Sequence, residues 1–178
     1  MTTAATASRL EQRFRLWDID KDGRIERTDF QAEAERIIKA FGEDTDSPRG
    51  RTVMDTYLNM YDFLASKAGV GKEGLNLQQF ADVVKREMIE QGNSGFARVL
   101  RPTIRAIVDL CDVTGDGAIN PTEFRRWIEA IGAGSGADSN ASFRQIDVNN
   151  NGTLSVDELV EAVKQYHFGQ SDTALLGV

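Results

Sequence analysis

The sequence predicts an all-α protein: four helix–loop–helix units in two pairs, packed into one compact unit, with short β pairing only from loop to loop. Three observations predict this. First, a pattern recurs in which a Gly is followed two positions on by an apolar residue and five further by another. It reads Gly23…Ile25…Phe30, Gly117…Ile119…Phe124 and Gly152…Leu154…Leu159, with a degraded copy at Leu75…Phe80. Second, oxygen-bearing side chains stand at alternate positions ahead of the three intact copies. Third, the flanks carry apolar residues at the i, i+3, i+4, i+7 spacing of amphipathic helices.

The three intact segments run Asp18–Asp29, Asp112–Glu123 and Asp147–Glu158. Each matches the twelve-residue EF-hand calcium loop. Calcium is a hard cation that takes six to eight oxygens. Side-chain oxygens at positions 1, 3 and 5 wrap one side of it. These are Asp18, Asp20 and Asp22 in loop 1, Asp112, Thr114 and Asp116 in loop 3, and Asp147, Asn149 and Asn151 in loop 4. Position 6 turns sharply, which glycine allows. Position 7 contributes its backbone carbonyl, so Arg24, Ala118 and Thr153 can differ freely in side chain. Position 9 acts through water, from Glu26, Asn120 and Ser155. Position 12 closes the cage with Asp29, Glu123 and Glu158. The apolar residue at position 8 pairs as a short strand with its counterpart in the partner loop.

The helices follow in chain order. Leu10, Phe14 and Trp17 share a face before loop 1, and Phe30, Ala34, Ile37, Ile38 and Phe41 follow it. Val53, Tyr57, Tyr61 and Leu64 precede loop 2, with Phe80, Val83 and Val84 after it. Around loop 3 stand Leu100, Ile104, Ile107, Val108 and Cys111, then Phe124, Trp127, Ile128 and Ile131. Around loop 4 stand Phe143 and Ile146, then Leu159, Val160 and Val163. Gly- and Pro-containing connectors are expected at 42–50, 92–95 and 132–136. Pro102 is expected to open or kink its helix. The chain divides into an N-terminal pair over 1–91, a C-terminal pair over 96–167 and a tail over 168–178.

Loop 2 is expected to be silent. Ala68, Val70, Lys72 and Gln79 fall at positions 1, 3, 5 and 12, so no carboxylate remains and Lys72 repels a cation. Leu75 still provides a strand contact for loop 1. Two departures mark the active loops. Thr114 is a weaker, neutral ligand, and Asp29 is one methylene shorter than Glu. A shorter closing carboxylate favours a contracted six-oxygen site, nearer the octahedron that magnesium demands. Three calcium ions are expected, with site 1 also open to magnesium.

Charge supports a metal role. The net charge is −7, but removing the nine carboxylates at ligand positions 1, 3, 5 and 12 from 28 acids leaves 19 against 21 bases. The acidity is concentrated where like charges repel until a cation arrives. The pI near 4.8 leaves no basic nucleic-acid footprint. No apolar run is long enough to span a membrane. The N-terminus lacks a secretory pattern, and Thr2 excludes N-myristoylation. A single cysteine, Cys111, fits a reducing compartment and reads as a small core residue. His167, the one histidine, reads as a packing residue or a partner of the helix dipole. Leu175 and Leu176 either dock the tail or fray with it.

Further residues carry a resemblance over nearly the whole chain: Arg13-Phe14 and Trp17-Asp18 entering loop 1, Asp29-Phe30 leaving it, and Ala68-Gly69-Val70-Gly71 in loop 2. Glu90-Gln91-Gly92, Arg98-Val99-Leu100, the Met1-Thr2-Thr3-Ala4 start and the His167-Phe168-Gly169 tail add to it. The chain resembles the bacterial, calerythrin-type members of the sarcoplasmic calcium-binding protein family, in the EF-hand superfamily. The resemblance implies active sites 1, 3 and 4, a silent site 2, and a monomeric calcium buffer or transporter in a bacterial cytoplasm, not an enzyme. A sensor that exposes an apolar groove to a target protein is the alternative; the sparse methionines (Met54, Met60, Met88) argue against it. A calcium-triggered photoprotein is a minor alternative, opposed by the single histidine.

Overall fold

A computed structural model describes residues 4–131, 139–168 and 170. Among these, eight α-helices bracket four loops: α1 Ala4–Trp17 and α2 Arg27–Ala40 around loop 1, α3 Pro48–Ala68 and α4 Leu77–Val84 around loop 2. Helices α5 Gly92–Cys111 and α6 Pro121–Ala130 surround loop 3, and α7 Ser139–Ile146 and α8 Val156–His167 surround loop 4. The extended structure among the described residues is two antiparallel bridges, Ile25 with Leu75 and Ile119 with Leu154. Each joins position 8 of one loop to position 8 of its partner, as the repeat predicts.

Local chemistry sets the helix ends. Ser47 Oγ accepts from the Gly50 amide at 3.0 Å, and Pro48 occupies the first turn of α3. Gly69 closes the same helix at φ 70°, in the left-handed region.

The apolar faces meet in one core. Trp17 packs on Phe30 (centroids 4.4 Å) and edge-on to Phe80 (5.8 Å), which ties hand 1 to hand 2. Phe124 meets Trp127 at 6.1 Å and Phe143 at 5.8 Å, tying hand 3 to hand 4. The halves join through α3 against α5, α2 against α6 and α1 against α8. The predicted stripes are buried except Phe41, Leu100 and Val160, which are partly covered. Cys111 is fully buried, and burial pushes its thiol well above the usual range, as befits a core residue.

The structure corrects several boundaries. Residues 92–95 are not a spacer. Helix α4 runs into a π-helical turn, Lys85–Ile89, and α5 begins at Gly92. A Cβ on Gly95 would lie 2.7 Å from the carbonyl oxygens of Glu87 and Met88. Gly95 therefore lets α5 press against that turn. The first connector ends at Ser47, because Gly50 packs inside α3, where a Cβ would stand 2.1 Å from Asp44 O. Pro102 lies within α5 and does not start it. The connector at 132–136 and Leu175 and Leu176 lie outside the described residues. No helix among the described residues is long and apolar enough to cross a membrane.

A polar cluster inside the core was not legible as a motif. Glu33 is fully buried on α2, accepting from Trp17 Nε1 at 2.6 Å and pairing with Arg13 Nη2 at 3.2 Å. The Arg13 guanidinium also lies 3.9 Å from the Trp17 ring centroid.

His167 is buried too. Burial first, then the Arg13 and Arg9 charges, lower its pKa to about 4. It is a neutral packing residue. The dipole reading is thereby corrected, since a helix C-terminus would favour the charged form.

Candidate metal centre

Each intact loop wraps its own amides around the first carboxylate. In loop 1, Asp18 Oδ2 accepts from Gly23 N at 2.9 Å and Oδ1 from Asp22 N at 3.0 Å. Asp147 does the same with Gly152 N (2.9 Å) and Asn151 N (3.2 Å). Asp112 accepts from Gly117 N at 2.7 Å, Gly115 N at 2.7 Å and Asp116 N at 3.1 Å. Burial raises the Asp112 carboxyl, but these amides and the Thr114 hydroxyl outweigh it and hold the pKa below the usual value.

The wrap uses two left-handed residues per loop. Position 6 is glycine in each, Gly23, Gly117 and Gly152, at φ 80–85°. Position 4 is left-handed as well: Lys21 at 61°, Gly115 at 78° and Asn150 at 56°. The sequence signalled only the first. The result in loop 1 is that one oxygen from each of Asp18, Asp20 and Asp22 lies within 4.8 Å of the others.

Position 12 closes each loop from the first turn of the following helix and has a second, structural task. Asp29 Oδ2 accepts from Glu26 N (2.7 Å), Glu123 Oε2 from Asn120 N (2.9 Å) and Glu158 Oε2 from Ser155 N (2.9 Å). Each thus caps its helix. In loop 2, Gln79 Oε1 accepts from Asn76 N at 2.9 Å. Loop 2 keeps the cap and lacks the charge. Ala68, Val70 and Lys72 bring no carboxylate to it, so the expectation that it lacks a cage fits its chemistry.

The second oxygen of position 12 differs among the loops. Glu123 Oε1 reaches back to Val113 N at 2.9 Å. Asp29 Oδ1 makes the equivalent contact to Ile19 N at 3.3 Å, which reflects its missing methylene. Burial raises the Asp29 pKa against the hydrogen bonds from Glu26 and Ile19, and the Asp20 and Asp18 charges raise it further. Glu158 Oε1 is buried with no hydrogen-bond partner among the described residues. A buried carboxylate oxygen without a donor is costly unless a cation meets it. The donor set is oxygen throughout, with no sulfur or imidazole, and fits a hard divalent ion.

One further contact locks loop 1 to loop 2. The Arg24 side chain donates to Glu73 O at 2.9 Å. Position 7 was expected to offer only its carbonyl; its guanidinium also ties loop 1 to loop 2.

The EF-hand family profile matches residues 10–32 and 140–164. Calerythrin of Saccharopolyspora erythraea is 43% identical over 178 residues, covering 99% of this chain and all of that protein. A luciferin-binding protein of Renilla reniformis is 24% identical, covering 94% of this chain and 88% of that protein. Among solved structures, a Streptomyces coelicolor calcium-binding protein, described in terms of prokaryotic calcium-mediated regulation, superposes with a TM-score of 0.77 at 26% identity. It covers 92% of this chain and 98% of that one.

Proposed function

The chain belongs to the calerythrin-like EF-hand calcium-binding proteins, and from that premise we propose that loops 1, 3 and 4 each hold one calcium ion while loop 2 holds none. The ligands are Asp18, Asp20, Asp22, Arg24 O and Asp29 at site 1. Site 3 uses Asp112, Thr114, Asp116, Ala118 O and Glu123, and site 4 uses Asp147, Asn149, Asn151, Thr153 O and Glu158. The buried, unpartnered Oε1 of Glu158 carries this reading, because a buried carboxylate oxygen without a donor is costly unless a cation meets it. Site 1 takes magnesium as well, on the strength of the longer reach of Asp29. Hands 1 and 2, up to residue 91, and hands 3 and 4, from the start of α5 at Gly92 to His167, act as the two binding units.

The protein serves as a monomeric cytoplasmic calcium buffer and is not an enzyme. Met60 and Met88 are buried inside the body, which does not suit a methionine-rich docking groove. A sensor is the second reading, favoured by the regulatory description of the Streptomyces relative. Calorimetric calcium titration with and without millimolar magnesium, run beside an apolar-surface dye, separates them. Three ions with magnesium competition and no new dye binding support the buffer. Dye binding that grows with calcium supports the sensor, and fewer than two ions would refute the site assignment.

A further inference from the structure

Loops 1 and 2 are joined by more than their strand bridge. Counted as an EF-hand loop, loop 2 places Glu73 at position 6 and Gly74 at position 7. In a filled loop the position 7 carbonyl serves the ion. Loop 2 has no carboxylate at positions 1, 3, 5 or 12 to hold one. A cation reaches these carbonyls from the neighbouring loop instead. Arg24 Nη1 donates to Glu73 O at 2.9 Å and to Gly74 O at 3.4 Å.

The two loops fit closely at this point. Gly74 is left-handed at φ 72°, and a Cβ there would stand 2.8 Å from Ile25 O and from Glu26 Cγ. Loop 2 therefore lies directly against positions 8 and 9 of loop 1. Position 7 of the other two loops has no such anchor. Ala118 has no side-chain donor, and Thr153 Oγ1 donates within its own loop, to Asn151 Oδ1 at 3.2 Å. The three loops are otherwise alike here. Each position 7 amide donates to its position 5 side chain, at 2.8 Å in loop 1, 3.1 Å in loop 3 and 3.0 Å in loop 4.

Arg24 thus has a backbone carbonyl in the ligand set of loop 1 and a guanidinium fixed on loop 2. Loop 1 also has the shorter closing arm, Asp29. Restricting position 7 before the ion arrives lowers the ordering cost of binding and offsets part of that handicap.

We propose that Arg24 is a positioning residue for site 1, whose guanidinium stands on the loop 2 carbonyls in place of an ion and so holds the Arg24 carbonyl ready for the ion of loop 1. The proposal rests on the assignment of an ion to loop 1.

The test uses the full chain labelled with nitrogen-15, as wild type, Arg24→Met and Arg24→Lys. The Arg24 side chain is exposed, so neither change opens the core. Met keeps an unbranched apolar stem and loses every donor. Calcium is titrated against a competing chelator, and the amides of Gly23, Gly117 and Gly152 report one loop each. In Arg24→Met, calcium affinity at loop 1 is expected to fall by up to about tenfold, the worth of one net hydrogen bond, with loops 3 and 4 unchanged. Arg24→Lys should recover part of the loss. Charge alone predicts the opposite sign, since removing a cation beside a divalent ion favours that ion. The second readout needs no metal. In chelator, the amides of Ile25 and Leu75, paired across the loops at 2.9 Å, should exchange with solvent faster in Arg24→Met than in wild type. Loop 1 affinity that stays or rises in Arg24→Met, or equal exchange in chelator, overturns the proposal. A wild type that takes no ion in loop 1 shows itself separately, as a Gly23 amide that calcium does not move, and refutes the site assignment together with what rests on it.

Discussion

Ile25 and Leu75 exchange both backbone hydrogen bonds, each at 2.9 Å, so a loop bearing four carboxylate ligand candidates is braced by one bearing none. Leu75 is fully buried. Hand 2 therefore supports loop 1 through its strand and its core. Leu75→Ala is expected to cost about 2–5 kcal/mol of stability and to weaken calcium at site 1 more than at sites 3 and 4. Calorimetry on the variant checks this. A stability loss with site 1 affinity intact would show that the brace is not coupled to binding.

Glu158 separates ligand from cap. Gln in its place keeps an oxygen for the Ser155 amide, now 2.9 Å from Oε2. Glu158→Gln should leave metal-free stability within about 1 kcal/mol of wild type, because the capping bond survives. It should reduce the calcium count from three to two. Gain of stability on adding calcium, roughly 2.7 kcal/mol per ion at a hundred times its dissociation constant, should shrink by one site's worth.

Asp29→Glu restores the missing methylene. With the longer arm, the reach to Ile19 N should close from 3.3 Å toward the 2.9 Å seen between Glu123 and Val113. Calcium affinity at site 1 should rise and magnesium competition fall. A titration in millimolar magnesium reads both. Unchanged competition would mean that position 12 does not set the selectivity.

The buried Glu33 holds Arg13 and Trp17 together. Glu33→Ala leaves the Arg13 charge uncompensated and should destabilise by about 3–5 kcal/mol. Chemical denaturation measures it. A loss under about 1 kcal/mol would mean that Arg13 finds water in the variant.

Folding should also sense pH through His167, faced by the cationic Arg13 and Arg9. Its pKa falls from 6.5 to about 4 on folding. The unfolded chain therefore binds the proton first as pH drops. Stability from this group is complete above pH 6.5 and declines toward pH 4, by about 3 kcal/mol in all. Denaturation curves in chelator, wild type against His167→Gln, isolate it from the loop carboxylates. Parallel pH profiles would exclude the histidine as the cause.

The repeat made the fold readable. EF-hand loops have a strict local grammar, so ligand positions, the position 6 glycines and the position 8 pairing follow from spacing alone. Position 4 was not legible, because Lys21 and Asn150 give no sign of the left-handed turn that the wrap imposes on them. The run at 92–95 misled, since glycine marks both loose linkers and close packing.

The sequence by itself determined the four hands, their pairing, the silence expected of loop 2 and the oxygen donors of the other three. All of these depend on residues within one loop or on a periodic face. Only the tertiary structure decided which polar groups share the interior. Glu33 sits among apolar neighbours on α2 and looks in sequence like any surface acid, until α1 brings Trp17 and Arg13 over it. Trp17 and Trp127, 110 residues apart in sequence, border one cavity because the two halves close on each other. Local patterns specify elements and their ligands; burial and partners depend on contacts between distant segments, which no local pattern encodes.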